Sequence, residues 1–170
     1  AMLAGVDYVL MGAGIPQEVP AALDALAAGQ PAAMKLHVHG QPKGETTTLR
    51  LDPAEHFEGD APVLRRPAFL PIVSAHSLAT MLARKSTGRV DGFVVEGPVA
   101  GGHNAPPRGR LELDADGEPV DGDGDRADLA AMRDLGLPFW LAGGTATPES
   151  VEHARDEGAA GVQVGSLFAL

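Results

Sequence analysis

The sequence predicts an α/β chain built from repeated strand–helix units around a parallel sheet, and three observations carry that prediction. Six short apolar runs, "DYVLMG" (7–12), "AAMKLHV" (32–38), "FLPIVSA" (69–75), "DGFVVEG" (91–97), "PFWLAGG" (138–144) and "GVQVGSLF" (161–168), are continuous rather than alternating. Continuous runs of this length suit strands covered on both faces, as in parallel sheets. Segments with helical spacing and glycine stops lie between most of them. Strand and helix alternate in steps of about 20–30 residues, the signature of βαβ units with right-handed crossovers.

Taken in order, residues 20–28, "PAALDALAA", open with proline at a favourable first helical position and end at Gly29. Residues 77–87, "SLATMLARKST", carry Leu78, Met81 and Leu82 at helical spacing and stop at Gly88. Residues 127–135, "ADLAAMRDL", present Leu129, Met132 and Leu135 and stop at Gly136. Residues 147–157, "TPESVEHARDE", begin with a Thr cap followed by Pro and stop at Gly158. Two insertions break the rhythm. Residues 39–67 form an excursion between strand-like pieces. A second insertion, about 104–126, contains "LELDADGEPV", a hairpin turning at Asp116-Gly117.

Composition narrows the function classes. With 44% apolar and 21% charged residues, the chain has the make-up of a soluble domain with a real core. No apolar run reaches the ~18 residues of a membrane helix, and the first residues show no basic n-region followed by an apolar h-region to read as a signal peptide. The absence of cysteine excludes disulfides, thiolate nucleophiles and Cys-based zinc sites, and fits a cytoplasmic protein. A net charge of −10 argues against nucleic acid and anionic membrane as partners. Most of that charge is local: residues 111–128 hold eight acids against Arg126, which is −7 of the −10. Both ends, "AMLAGVDYVL" and "GVQVGSLFAL", fall inside apolar segments, which reads as an excerpt of a longer protein.

Three stretches bear on chemistry. "LAGGTATPESV" places two glycines at a strand end just before a helix, and "GVQVGSLF" follows with Gly-Ser late in the next strand. Glycines there admit a close backbone approach, and free N–H groups favour an anion such as phosphate; Gly143, Gly144, Gly165 and the Ser166 hydroxyl fit that pattern. "EGPVAGGHNAPP" stands at the equivalent end of an earlier strand, so His103 is either an exposed loop residue or a proton-transfer group at the same mouth. Gly101 and Gly102 would let the backbone pass a planar ligand closely. His37, His39, His76 and His103 are enough imidazoles for a metal-dependent barrel hydrolase, but no carboxylate sits at the strand end such a site needs, and no metal ligand is assigned. "DADGE" and "DGDGD" lack the Gly and Glu of a calcium loop and read as a solvated acidic turn. Lys35 reads as a snorkelling surface residue, and Trp140 as strand packing.

Together, "VDGFVVEGPVAGGH" and, about 40 residues on, "PFWLAGGTATPESV…GAAGVQVGSLF" resemble the nitronate monooxygenases, FMN-binding TIM barrels related to flavin-dependent enoyl-acyl-carrier-protein reductases. The likeness spans roughly residues 5–170 and includes "GVDYVLMGAGIP" and "LPIVSAHSLATMLAR". It implies a partial (β/α)8 TIM barrel, approximately strands four to eight, with residues 1–170 as the C-terminal part of one FMN-binding domain. It implies FMN as cofactor, with His103 as catalytic base beside the flavin ring. Gly101 and Gly102 would pass the flavin. Gly143, Gly144, Gly165 and Ser166 would hold its phosphate, and Ser74 and Gln163 would line it. The implied activity is oxidation of nitronates or nitroalkanes with dioxygen; the related alternative is enoyl-thioester reduction with NAD(P)H. The partners are then a small-molecule substrate and dioxygen, in a chain that could form a homo-oligomer. Val99 stands where the usual motif has Glu, and both insertions are additions to the family pattern.

Overall fold

A computed structural model describes residues 1–36, 38–60, 62–101, 105–107 and 109–169. Five strands, β1 (Tyr8–Met11), β4 (Ala68–Val73), β5 (Phe93–Glu96), β6 (Phe139–Ala142) and β7 (Gly161–Gln163), form one sheet in that order, with every neighbouring pair parallel. Helix α1 (Val19–Ala27) follows β1, and α2 (His76–Lys85), α3 (Leu129–Asp134) and α4 (Pro148–Asp156) each join one sheet strand to the next. A last short helix, α5 (Ser166–Ala169), follows β7. Strand order thus tracks chain order with no reversal.

Strand side chains alternate between two faces, and the two faces are packed differently. Phe69 and Val73, Phe93 and Val95, and Phe139 face Leu23, Ala79, Leu82, Met132 and Ala154 from the four longer helices in one core. The opposite face packs Leu70, Val94 and Ala142 with Ile72 and Trp140, and among the described residues no helix side chain joins that cluster. Its curvature is direct. The rings of Tyr8 on β1 and Trp140 on β6 meet edge-on with centroids 6.1 Å apart. Those strands are three sheet positions apart, roughly 14 Å in a flat sheet at about 4.8 Å per strand. Inward-facing side chains meet across that span only if the sheet curls, and the sheet is a half-barrel with helices outside. Trp140 is therefore an interior group. A Cβ on Gly92 would stand 3.1 Å from its Cζ3, and one on Gly161 would stand 3.1 Å from its Cδ1.

The helix ends follow the sequence signals closely. Thr147 and Ser150 form a reciprocal capping box with Pro148 at the head of α4, and the Asp128 carboxylate caps α3. Gly88 departs from its expected role. Helix α2 ends at Lys85, and Gly88 instead lies against α1, where a Cβ would stand 2.8 Å from the Ala21 amide nitrogen.

The apolar run 32–38 departs further. It was expected to join the parallel sheet; instead β2 (Ala32–Leu36) pairs antiparallel with β3 (Thr47–Leu51) in a separate two-stranded sheet. The first insertion therefore begins earlier than residue 39. The physical reason is visible in the run: Met34, Leu36 and Val38 alternate with Lys35, His37 and His39, the period of a strand with one polar face. Lys35 is exposed, as expected. The acidic insertion turns as expected, with a bridge between Leu113 and Pro119 and the Asp114 carboxylate accepting from the amides of Asp116 and Glu118.

Ion pairs hold the N-terminal ends of β4 and β5. Arg66, half-buried before β4, donates to Asp24 of α1 and to Asp91 before β5, and reaches the Arg89 carbonyl at 2.6 Å. Asp91 also accepts from the Phe69 amide at 2.8 Å. Burial opposes the Arg66 charge, but hydrogen bonds and attraction from Asp91 and Asp24 outweigh it and raise its pKa above the ordinary value.

Candidate functional site

The opposite, C-terminal ends of β5, β6 and β7 enclose a cavity of about 310 Å³. Its wall is built from three loops. After β5 the chain turns at Gly97, whose amide donates to the Ala142 carbonyl at 2.9 Å, and continues through Val99, Ala100 and Gly101. After β6 come Gly143, Gly144, Thr145 and Ala146; after β7 come Val164, Gly165 and Ser166.

Six residues singled out from sequence converge here: Gly101, Gly143, Gly144, Gln163, Gly165 and Ser166 all line this cavity. Their glycines serve different ends. Gly143 has φ +93°, and a Cβ there would stand 2.8 Å from the Ala100 amide nitrogen. Only glycine lets these two loops touch in that backbone conformation. Gly101 packs against Ser166, whose Oγ would be 2.8 Å from an added Cβ. Gly165 has nothing within 4 Å of such an atom and no left-handed backbone to require it, so neither packing nor conformation explains the missing side chain.

Glu96 apart, the polar groups of the wall are neutral donors and acceptors. Thr145 Oγ1 lies 3.4 Å from the carbonyls of both Leu141 and Gln163, tying the ends of β6 and β7 together. Gln163 Oε1 is buried with no hydrogen-bond partner among the described residues. The Gly165 carbonyl accepts from the amides of Phe168 and Ala169. The amides of Ser166 and Leu167, at the head of that turn, have no carbonyl one turn back to reach. Among the described residues lining the cavity, Glu96 alone is ionisable.

Ser74 lies apart from the main group. It follows β4 and lines a small adjoining cavity of about 20 Å³ with Glu96, Pro98, Ala105, Pro106, Asp121 and Asp125. Glu96 belongs to both walls. The acidic insertion is thus not wholly a solvated turn, because Asp121 and Asp125 reach this wall. Gly102 and His103 lie outside the described residues, as does His37; the described residues on either side of His103, Gly101 and Ala105, line the larger and the smaller cavity respectively. His76, at the start of α2, accepts from the Asp128 amide at 3.4 Å. Among the described residues no three His, Asp or Glu side chains converge as a metal site, and no helix is long and apolar enough to cross a membrane.

Sequence reasoning passed over Glu96 and Thr145. Glu96 carried a readable signal: it ends an apolar strand two residues after Val94, on the same inner face. Thr145 gave none beyond following two glycines. No known family model and no curated protein sequence matches the chain.

Proposed function

We propose that the chain is part of a (β/α)8 TIM barrel and an FMN-dependent oxidoreductase, similar to nitronate monooxygenases, that oxidises nitronates or nitroalkanes with dioxygen. The observation that carries this reading is Gly165, whose missing side chain leaves open space in a glycine-rich cavity at the C-terminal end of parallel strands. Such ends are where ligands bind in barrels of this architecture, and the loops after the last strands commonly take phosphate. The cavity is at the lower end of the ~300–1,000 Å³ usual for small-molecule sites. The unpartnered Gln163 Oε1 asks for an N–H donor, which a flavin ring has and a simple phosphate lacks.

In this reading the amides around Gly143, Gly144 and Gly165 and the Ser166 hydroxyl hold the FMN phosphate. Gly101 and Gly102 let the β5 loop pass the ring, and Gln163 and Ser74 line it. Bound FMN supplies the electron acceptance that no side chain of this chain can provide. His103 takes the α-proton of a neutral nitroalkane on an imidazole nitrogen, a task suited to a group titrating near neutrality.

The decisive experiment is an absorption spectrum of the purified protein followed by identification of any released chromophore. Flavin bands near ~375 and ~450 nm that yield FMN are expected. A colourless protein that cannot be reconstituted with FMN overturns the reading. Rapid bleaching by NADH or NADPH without substrate would instead select the enoyl-thioester reductase.

A further inference from the structure

The β2–β3 sheet is separate from the five-stranded sheet but packs beside α1, where the Lys35 amide donates to Glu18 Oε2 at 2.7 Å, and among the described residues β3 pairs with no strand but β2. Its other edge carries backbone N–H and C=O groups suited to pairing with another strand. All five residues of β3, "TTLRL", are exposed, and the run has strong strand preference with neither proline nor glycine. The register places Ala32, Met34 and Leu36 on one face with Leu51, Leu49 and Thr47. Leu36, Leu49 and Leu51 on that face are 43%, 51% and 44% exposed. Ala32 on the same face is buried, so the apolar face is covered at one end and half-exposed at the three leucines. A two-stranded sheet is marginal in water, and three or more strands are the usual remedy.

We propose that this edge joins two copies of the chain, β3 of each pairing antiparallel about a twofold axis at Leu49 to form a four-stranded sheet. The strand complements itself in that register. Leu49 meets Leu49 on the apolar face, Thr47 meets Leu51, and Arg50 meets Thr48, so no charge faces its like. The wider surface agrees. Residues 32–52 hold Lys35, Lys43 and Arg50 against Glu45 and Asp52, a net +1 in a chain of −10. Two copies meeting here bring no acidic surfaces together, unlike contact through the 111–128 insertion. The interface is isologous and closes on itself, which ends assembly at two.

The chain lacks cysteine, so single cysteines report the register cleanly. Under mild oxidation Leu49→Cys is expected to give a covalent dimer. Thr48→Cys alone is not, whereas Thr48→Cys combined with Arg50→Cys is. Analytical ultracentrifugation should give twice the chain mass, and Leu49→Lys, which sets two ammonium groups face to face, should weaken association at least tenfold. Unchanged circular dichroism in that variant shows that the fold survives. A wild-type protein that sediments as a monomer at micromolar concentration overturns the proposal. So does a dimer indifferent to Leu49→Lys, or one in which Thr48→Cys cross-links as readily as Leu49→Cys.

Discussion

Gly165 and Gly143 line the same cavity, yet replacing each with alanine should have opposite consequences. At Gly143 the new Cβ meets the Ala100 amide nitrogen at 2.8 Å and Cα at 3.0 Å, with the backbone at φ +93°. The left-handed conformation costs about 1–2 kcal/mol for a residue with a Cβ, and forcing rigid backbone apart adds about 1–2 kcal/mol. A loss of about 3 kcal/mol lowers Tm by roughly 10 °C in a chain of this size. At Gly165 the Cβ meets nothing within 4 Å. Alanine there should leave stability unchanged or raise it by about 0.4–1 kcal/mol, through lost freedom in the unfolded chain. The same methyl occupies the space assigned to the FMN phosphate, and FMN affinity should fall at least tenfold, about 1.4 kcal/mol. Thermal melts and fluorescence titration with FMN read the two effects separately. A Gly165→Ala protein that binds FMN as tightly as wild type would refute the reasoning, because the open space would then have no ligand to serve.

Three further outcomes are expected. Asp91→Ala removes a carboxylate that holds Arg66 at 2.5 Å, the Phe69 amide at 2.8 Å and Arg89 at 2.6 Å. Arg66 keeps Asp24 but loses its more buried partner, which should cost about 2 kcal/mol in urea unfolding, with FMN affinity of the folded protein unchanged. Thr147→Ala breaks the α4 capping box and should cost about 1 kcal/mol in thermal unfolding. His103→Asn should abolish turnover of neutral nitroalkanes and spare that of preformed nitronates, with FMN still bound; undiminished activity on the neutral substrate would remove His103 from the mechanism.

What the sequence made legible depended on how local the signal was. Continuous apolar runs marked β4, β5 and β6 because those strands are buried on the helix face and packed on the inner one. Thr147-Pro148 marked α4 because a cap is settled within four residues. The half-barrel's curvature was expected only through the resemblance to TIM barrels and had no local signal, since it rests on Tyr8 meeting Trp140 from strands 132 positions apart in the chain. The misplacement of 32–38 has a different origin. A window scored for apolar content sees Met34, Leu36 and Val38 but misses the polar residues between them, and that alternation decides which sheet the strand can enter. At the site, the glycine pairs and Gly165-Ser166 were legible as punctuation. Whether a glycine answers to packing, to backbone geometry or to neither was not, because that depends on where Ala100 and Ser166 come to rest.

The two ends of the parallel strands divide the work between them. At the N-terminal ends charged side chains bind one another: Arg66, Asp24, Asp91 and Arg89 are mutually engaged. At the C-terminal ends the polar groups are less committed. Gln163 Oε1 has no partner among the described residues, Thr145 divides one hydroxyl between two carbonyls at 3.4 Å, and Gly165 faces open space. A fold gains nothing by burying an unpaired amide oxygen, which costs about 1–3 kcal/mol. A water or a bound group that donates to it offsets that cost. The asymmetry predicts that substitutions before the strands change stability at constant affinity, and that those after them change affinity, with Gly143 the exception because its backbone serves both.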